Sequence, residues 1–499
     1  MSILYHNTLT RRKEPVETVE PGIVRLYSCG PTVHDFAHIG NFRAFVFVDL
    51  LKRHLLLRGY EVRHVMNLTD VGHMTTDADD GEDKIGKSAR EKGLDPWQVV
   101  EQFSQAFFED IKTLRLLPAM VYPRATEHVP DMIRLVQRIL DNGFAYEANG
   151  SVYYSLARFP AYGRLSGNTL GQLQEGARVE VNPEKHSPLD FALWKAAPNS
   201  FMRWESPWSV GVPGWHIECT AMAMRYLGEE IDIHTGGEDN IFPHHDCEIA
   251  QAHAATGRDP YVRLWMHNRH LRLAGGAKMS KSLGNFLTLR DLLAQGVKPT
   301  TLRYLLLSSH YRSNLTFSDE ALDAAAKAVE RLNAFVVRLG EAPDAAAAET
   351  AEAHLPRQMG NRPARDTSSD TGGSAAGPAV WPLCEKAKED FAAALDDDLN
   401  ISSALAVVFD FMHEINRLDL TAASAAPVRD VMSYFERVLG VLEEPEEVPD
   451  PEIERLIQER QAARKAKDYK KADAIRDALA RRGIVLEDIP QGVRWRRAR

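Results

Sequence analysis

Only four of the 499 residues are cysteines: Cys29, Cys219, Cys247 and Cys384. Four thiols so widely spaced cannot form a disulfide framework in a chain of this length, so they favour a reducing compartment and a metal-binding or catalytic role. The sequence also lacks any run near the roughly 18 apolar residues that a membrane span needs. Its first residues lack the cationic and apolar regions of a secretory leader. We therefore expect a cytoplasmic protein with no membrane partner.

Positive charge is scarce in the chain as a whole, and it is concentrated at one end. The net charge is -10 at pH 7, which argues against bulk nucleic-acid binding. From Pro451 to Arg499, however, 14 Lys and Arg residues stand against 8 Asp and Glu residues. Trp495, between Arg494 and Arg496, adds a surface on which an RNA base could stack. A solvated basic helix and a small domain with Trp495 in its core explain this composition equally well.

A strand, a helix and a second strand surround the first group of chemically active side chains. Ile23–Ser28 and Glu61–Met66 are rich in β-forming residues, and apolar residues recur at helical spacing between Phe42 and Gly59, with Asn41 as the expected N-cap. This βαβ pattern predicts a doubly wound parallel sheet, whose ligands bind at the carboxyl ends of the strands. The connecting loop, Cys29–Asn41, carries a thiol and two imidazoles but no G-x-G-x-x-G, which excludes an NAD-type site.

The most specific motif is Lys278-Met279-Ser280-Lys281-Ser282, with glycines on both sides. Two lysines and two hydroxyls suit a triphosphate and the charge that develops as pyrophosphate leaves. Alone, this motif is as well explained by a solvated basic turn. Together with His38-Ile39-Gly40-Asn41 it resembles the paired signature motifs of class I aminoacyl-tRNA synthetases, with Asn41 in place of the second histidine of the H-I-G-H form.

Four further residues provide the donor atoms of a zinc site: Cys29, Cys219, His244 and Glu248. If Pro243 starts a helix, His244 and Glu248 lie one turn apart on the same face. Two thiolates, an imidazole and a carboxylate form a reasonable zinc set. Cys247 should point away from that face. The four positions match the zinc ligands of cysteinyl-tRNA synthetases, and Gly236-Gly237-Glu238-Asp239 and Trp215-His216 match that family too.

This resemblance implies ATP-dependent ligation of L-cysteine to tRNA(Cys) through a cysteinyl-adenylate, by a monomer with one Zn²⁺ and with Mg²⁺ accompanying ATP. It implies that the phosphate charge is stabilised by His38, Asn41, Lys278 and Lys281. It implies that ATP is also held by Gly40, Gly237 and Asp239, and that substrate contacts Thr69 and Trp215. Because a soft thiolate binds zinc better than a hydroxyl does, zinc could separate cysteine from serine without an editing site.

Two other functions remain open. A cysteine ligase that acts on an amino-sugar, as in mycothiol synthesis, would share the core and the zinc, but a small acceptor would not need the helical and basic second half. A non-catalytic RNA-binding homologue would be expected to have lost a lysine or a zinc ligand, and none is lost here.

The expected fold is an α/β doubly wound, Rossmann-like catalytic domain with an insertion, followed by an α-helical domain and a small mixed C-terminal domain. The predicted domains are the two catalytic halves 1–120 and 214–300, the inserted connective region 121–213, a helical tRNA-contacting bundle 301–340 and 379–444, a disordered insert 341–378, and a basic anticodon-binding domain 450–499. We expect one helix to begin at Pro243. Apolar residues recur at helical spacing from Leu302 to Leu339, and a single charged helix is expected from Ile453 to Arg482.

We predict that Lys281→Ala slows adenylate formation by about 10²–10³-fold while the KM for cysteine changes little, because a cation acting on departing pyrophosphate acts in the transition state. Cysteine-dependent ATP–pyrophosphate exchange measures both quantities. An exchange rate equal to that of the unaltered protein would contradict this role.

Overall fold

The computed structural model describes residues 2–71, 84–169, 171–172, 182–273, 286–343, 376–443, 451–466, 468–482, 484–489 and 492–497. Its contacts divide the chain into two units, Met1–Leu442 and Glu443–Arg499. No helix in the described ranges is both long enough and apolar enough to cross a membrane. Three predictions fall partly or wholly outside these ranges: Lys278, Lys281 and most of the insert 341–378.

Strands and helices are interspersed in the first half of the chain, and helices predominate in the second. In chain order the strands are β1 (Leu4–Asn7), β2 (Arg12–Pro15), β3 (Ile23–Ser28), β4 (Glu61–Met66), β5 (Ala145–Ala148), β6 (Ser151–Tyr154), β7 (Phe191–Ala196), β8 (Gly211–Pro213), β9 (Ile231–Gly237), β10 (Val262–Asn268), β11 (Leu271–Leu273), β12 (Leu315–Phe317), β13 (Ile484–Ile489) and β14 (Gly492–Arg497).

The α-helices follow the apolar periodicity of the sequence. They are α1 (Ile39–Leu57), α2 (Lys84–Lys92), α3 (Pro96–Thr113), α4 (Val129–Asp141), α5 (Trp215–Leu227), α6 (Asp246–Thr256), α7 (Leu289–Ala294), α8 (Pro299–Leu307), α9 (Asp319–Gly340), α10 (Ala376–Asp396), α11 (Ile401–Ile415), α12 (Ala422–Leu439), α13 (Pro451–Lys465) and α14 (Tyr469–Arg481). The predicted strands β3 and β4 have the bounds expected from their composition.

A four-stranded parallel sheet forms the centre of the first unit, in the order β10-β9-β3-β4. β4 lies on one side of β3 and β9 on the other, so the order of the strands reverses at the β3–β9 pair. The prediction of a doubly wound parallel sheet is confirmed. Such a reversal opens a crevice at the carboxyl ends of the strands, and this is where sheets of this kind bind ligands.

Alternate residues of the strands enter two cores on opposite faces of the sheet. Leu26 and Leu264 belong to the core shared with α1, α3 and the later helices, whereas Tyr27 and Trp265 belong to the core shared with α4, α5 and α6. The second core also receives Trp194 from an antiparallel sheet, β5-β6-β7-β8, which lies in sequence between the two halves of the parallel sheet. The expected insertion of strands and loops is confirmed.

Three helical predictions need correction. The stretch predicted as helical from Leu302 to Leu339 contains a break, because α8 ends at Leu307 and β12 intervenes before α9. Residues 376–378 of the predicted disordered insert form the first turn of α10. The single C-terminal helix is in fact two helices, since Asp468 caps a new helix by accepting a hydrogen bond from the Lys471 amide.

A buried arginine joins the catalytic helices to the helical bundle α9–α12. Arg303 of α8 is 1% exposed, and its guanidinium forms a 2.5 Å ion pair with the buried Asp49 of α1. It also donates to the backbone carbonyls of Leu114 at 3.0 Å and Leu439 at 2.6 Å. A buried charge needs such full pairing, because an unpaired one would be costly.

The second unit has a small core of its own. Helices α13 and α14 contribute Ile457, Ile475 and Leu479 to that core, and the antiparallel pair β13–β14 adds Ile484. In the strand register Trp495 stands opposite Leu486.

Gly440 should be essential to the packing around Arg303. It ends α12 in the left-handed conformation at φ 64°, and an added Cβ would lie 2.8 Å from Arg303 Nε. Gly257 ends α6 in the same conformation at φ 70° with no atom within 4 Å of the added Cβ. We predict that Gly257→Ala costs about 1 kcal/mol for its backbone conformation. Gly440→Ala should cost a further ~1–3 kcal/mol for overpacking. Equal losses of unfolding free energy in denaturant titrations would contradict the steric role.

Candidate metal and nucleotide site

The loop after β3 is held against the ends of both neighbouring strands. The Cys29 amide donates to the Thr235 carbonyl of β9 at 3.2 Å, and the Gly30 amide donates to Asn67 Oδ1, beyond β4, at 2.9 Å. An added Cβ at Gly30 would lie 1.7 Å from the Asn67 carbonyl oxygen, so only glycine fits there. Cys29 therefore sits at the point where the sheet order reverses.

His38, rather than Asn41, is the N-cap of α1. The Asn41 amide donates to His38 Nδ1 at 3.2 Å, and the His38 amide donates to Asn41 Oδ1 at 3.1 Å. This is a reciprocal capping box in which the histidine ring takes the usual place of a Ser or Asp side chain. The prediction of Asn41 as N-cap was wrong because Asn41 acts from the third helical position. Gly40 is required here, since an added Cβ would lie 2.8 Å from the His38 ring.

The segment that follows the predicted lysine motif in sequence pairs with the first motif. His38 forms an antiparallel bridge with Thr288, and the Ile39 amide donates to the Leu287 carbonyl at 3.0 Å. The ring of Phe286 lies 5.2 Å from that of His38, edge to face. The side chains of Lys278 and Lys281 lie outside the described residues, so their roles stay predictions.

The four predicted zinc ligands come together. A sulfur of Cys29, a sulfur of Cys219 on α5, an imidazole nitrogen of His244 and a carboxylate oxygen of Glu248 on α6 all lie within 4.8 Å of one another. These donors therefore form a group that could hold one metal ion. The helix was expected to begin at Pro243. α6 begins at Asp246 and follows without a break on residues 243–245, since within Ile241–His245 the non-helical residue is Phe242. Phe242, which precedes the proline, has an extended backbone.

The carboxylate of Glu248 has the chemistry of a metal ligand. Glu248 is fully buried, and its Oε1 atom makes no hydrogen bond of acceptable geometry with any described residue, although His244 Nε2 lies 3.1 Å away. Its Oε2 atom accepts a hydrogen bond from His234 Nε2 at 3.1 Å. A buried carboxylate oxygen beside two sulfurs and an imidazole has the donor chemistry of a zinc site.

The charges of this pocket support one another. Burial would raise the pKa of Glu248, but His234 and His244 outweigh it and lower the pKa to about 2. Burial would lower the pKa of His244, but Cys219 and Glu248 raise it to about 10. The hydrogen bond with Cys29, together with burial, raises the pKa of the Cys219 thiol well above its usual range. Glu248 and His244 thus favour each other's charged forms.

Three histidines form a second layer behind these donors, and sequence reasoning missed all three: His234, His245 and His267. His245 Nε2 lies 3.3 Å from Cys29 Sγ, and His245 Nδ1 lies 2.7 Å from His267 Nε2. His234 and His245, with Cys29 and Glu248, make an alternative group of four possible ligands. The only sequence signal was the His244-His245 pair and the presence of His234 on a predicted strand.

Cys247 lies apart from both groups. Its sulfur is buried 3.3 Å from the hydroxyl of Tyr162, in the inserted region, and it belongs to neither group of possible ligands among the described residues. This agrees with the expectation that it points off the face of His244 and Glu248.

The two residues predicted to contact substrate, Trp215 and Thr69, lie close to the candidate metal ligands. Trp215 begins α5, and its ring centroid lies 5.0 Å from that of His244. Thr69 is buried and donates to Glu218 Oε2 at 3.3 Å, one residue before Cys219. Thr69 also exchanges backbone hydrogen bonds with the Cys29 loop, through Val33 and Pro31.

The turn after β9 holds the two predicted nucleotide contacts. The Gly237 amide donates to Asn240 Oδ1 at 3.0 Å. An added Cβ at Gly237 would lie 2.4 Å from Asp239 Oδ1, so the glycine lets the aspartate fold back over the turn. Glu238 instead forms a 2.5 Å ion pair with Arg269, on the strand side of the turn.

Family models match most of the chain. The model described as the class I (C) tRNA synthetase catalytic domain matches residues 15–327, the DALR domain matches 390–443, and the cysteinyl-tRNA ligase anticodon binding domain matches 449–496. The chain is 42% identical over 502 residues to the cysteine–tRNA ligase of Brevibacillus brevis, with 100% of both chains covered. It is 44% identical over 512 residues to that of Thermus thermophilus, with 99% of each covered.

Among solved structures, methionyl-tRNA synthetase of Mycobacterium tuberculosis in complex with methionyl-adenylate aligns with a TM-score of 0.56 at 15% identity. The alignment covers 84% of this chain and 90% of that one. At this identity the likeness concerns the fold alone.

We predict that the full chain binds about one zinc ion and that Cys219→Ser loses it, because Cys219 supplies one of only two sulfurs within reach of Glu248. Cys247→Ser is the matched control, since it removes a buried sulfur next to Glu248 in sequence but outside the ligand group. Elemental analysis of the purified, folded variants measures the metal. Loss of zinc from Cys247→Ser, or its retention by Cys219→Ser, would refute the ligand set.

Proposed function

We propose residue roles for this chain from the premise that it belongs to the cysteinyl-tRNA synthetases of class I. Its reaction is the ATP-dependent ligation of cysteine to tRNA. The observation that carries the residue-level proposal is the convergence of two sulfurs, an imidazole and a carboxylate at the sheet reversal. We propose a cytoplasmic location because the four cysteines are all free.

Cys29, Cys219, His244 and Glu248 would hold a zinc ion. When bound, this ion would supply a soft Lewis acid that prefers the sulfur of cysteine to the oxygen of serine. His234 keeps Glu248 oriented through its 3.1 Å hydrogen bond. The Trp215 ring lies next to His244, with centroids 5.0 Å apart, and is proposed to provide an apolar surface for the amino acid. The side chain of the amino acid thereby points into the pocket, and its carboxylate is left facing the crevice.

The first step joins the substrate carboxylate to the α-phosphorus of ATP and expels pyrophosphate. The N-terminus of α1, where His38 is the cap, favours negative charge, so phosphate is proposed to lie there beside Asn41. Gly237 and Asp239, in the turn after β9, are proposed to hold the ribose, and Gly40 to permit close approach of the triphosphate. Phe286 contacts the His38 ring, and Lys281 precedes Phe286 by only five residues in the sequence. This short separation supports a role for Lys278 and Lys281 on the same phosphates.

The second step passes the cysteinyl group from the adenylate to a terminal ribose hydroxyl of the tRNA. No residue need become acylated, since positioning and stabilisation of charge suffice. The second unit matches an anticodon-binding family and is proposed to bind tRNA(Cys) through residues 451–499, where 14 Lys and Arg residues stand against 8 Asp and Glu residues. An amino-sugar acceptor would leave that unit without a role.

Charging of purified tRNA tests the function directly. The unaltered protein should attach labelled cysteine and should exclude labelled serine at equal concentration. Transfer of cysteine to an amino-sugar, with no charging of tRNA, would favour the rival ligase. An absence of any adenylate formation would favour a binding protein without catalysis.

Truncation after Glu447 should separate the two steps. All proposed contacts to cysteine, ATP and zinc lie before Leu293, so pyrophosphate exchange should persist, whereas charging should become less efficient. Because Lys and Arg contacts to phosphate release counterions, the deficit should shrink as salt rises. Exchange and charging are measured on one preparation at two salt concentrations. Unimpaired charging would contradict the role of the tail, and loss of exchange would make it a structural support of the core.

A further inference from the structure

A continuous row of hydrogen-bonding side chains runs from the N-terminal hairpin to the metal site. Thr8 Oγ1 lies 2.8 Å from His267 Nδ1, His267 Nε2 lies 2.7 Å from His245 Nδ1, and His245 Nε2 lies 3.3 Å from Cys29 Sγ. Each imidazole thus uses both of its nitrogens within this row. The four residues come from the segment after β1, from β10, from the turn before α6 and from the loop after β3.

Three of the four residues of the row are buried, and other contacts hold them in place. Thr8 and His267 are each 6% exposed, and His245 is 0% exposed. The Thr8 amide donates to the Trp265 carbonyl at 2.8 Å, which fixes the hairpin to the edge strand β10. The Trp265 ring packs on His245 with centroids 4.9 Å apart. These contacts leave the two imidazoles little freedom to turn.

A thiolate at Cys29 would fix the direction of every hydrogen bond in this row. A thiolate can only accept, so His245 must donate from Nε2 and accept at Nδ1. His267 must then donate from Nε2 and accept at Nδ1, because a neutral imidazole donates from one nitrogen only. The hydroxyl of Thr8 is therefore the first donor of the row. Without the Thr8 hydroxyl, Nδ1 of the buried His267 would lose its hydrogen-bond donor, and an unpaired buried acceptor is costly.

We propose that Thr8, acting through His267 and His245, is a positioning residue that orients Cys29 as a metal ligand. The inference rests on the proposed zinc site and extends it beyond the four ligands. Thr8 lies outside the match to the catalytic-domain family, which begins at residue 15. The N-terminal hairpin, to which sequence reasoning gave no function, thus becomes part of the support of the metal site. Supporting residues of this kind commonly change metal affinity by about 10–100-fold when they are removed.

Thr8→Val tests the proposal because it keeps the shape of the side chain and removes the hydroxyl. We expect its zinc affinity, measured by competition with a chromophoric chelator, to fall by about tenfold or more. The cobalt-substituted variant should show a shifted sulfur-to-cobalt absorption band, because the orientation of the Cys29 sulfur changes. Thr8→Ser, which restores a hydroxyl, should recover both properties. Thr113→Val, which removes a 2.8 Å hydroxyl hydrogen bond on the exposed end of α3, should leave both unchanged.

A double variant distinguishes the row from a general loss of packing. His267→Phe interrupts the same row one residue further on. Compared with His267→Phe alone, the double variant with Thr8→Val should bind zinc less than about twofold more weakly, because both changes break one network. Circular dichroism checks that each variant is folded. If Thr8→Val does not fold, Thr8→Ala takes its place. Unchanged affinity and spectrum in Thr8→Val, or fully additive losses in the double variant, would overturn the inference while leaving the zinc site intact. Absence of zinc from the unaltered protein would instead overturn the proposed metal site, and the inference with it.

Discussion

The parallel pairing of β3 with β9 is the constraint on which the site depends. These strands are separated by more than 200 residues in the sequence, yet Ser28 stands opposite Thr235 and the Cys29 amide bonds to the Thr235 carbonyl. The pairing places the loop with Cys29 beside the turn that leads to His244 and Glu248. Non-local pairing of this kind must overcome a substantial loss of chain entropy. That loss is offset by the burial of both faces of the sheet, one against α1 and the other against α5 and α6.

The site concentrates polar groups that a stable core would avoid. His234, His245 and Glu248 are all 0% exposed. Glu248 accepts a hydrogen bond from His234, and His245 lies within hydrogen-bonding distance of His267. Burying such a cluster stabilises the fold little, since desolvation roughly cancels the attraction between the groups. The presence of this cluster in the middle of a well-packed face is therefore better explained by chemistry than by stability. The stabilising burial lies nearby, where Trp265 and Tyr27 pack against the same histidines.

The sequence predicts well what depends on local pattern and poorly what depends on distant contacts. The β-forming residues of β3 and β4 and the apolar spacing of α1 correctly predicted these elements, and residue types together with the family resemblance predicted the ligand group. The predicted cap of α1 was wrong because an asparagine can act either as the N-cap or at the third helical position of a capping box. Only the backbone conformation decides between the two positions. His267 could not be recognised, since nothing near it in sequence indicates that Thr8 and His245 flank it. The break between α13 and α14 could have been suspected from Asp468, which is a common N-cap residue.

Helix α1 links the loop that carries Cys29 and His38 to the helical bundle α9–α12. The N-terminus of the helix carries the His38–Asn41 cap. Asp49, in its middle, pairs with Arg303. His54, in its last turn, has its Nε2 atom 3.0 Å from the carboxylate of Asp396 of α10. Nineteen helical residues span about 28 Å at 1.5 Å per residue. Because both inner contacts are buried, the helix cannot slide or rotate without breaking an ion pair or a hydrogen bond. The distance between the N-terminus of α1 and the helical bundle α9–α12 is thus set by one rigid element. If phosphate binds at that N-terminus, as proposed, an RNA held by the bundle would meet the adenylate at a fixed separation.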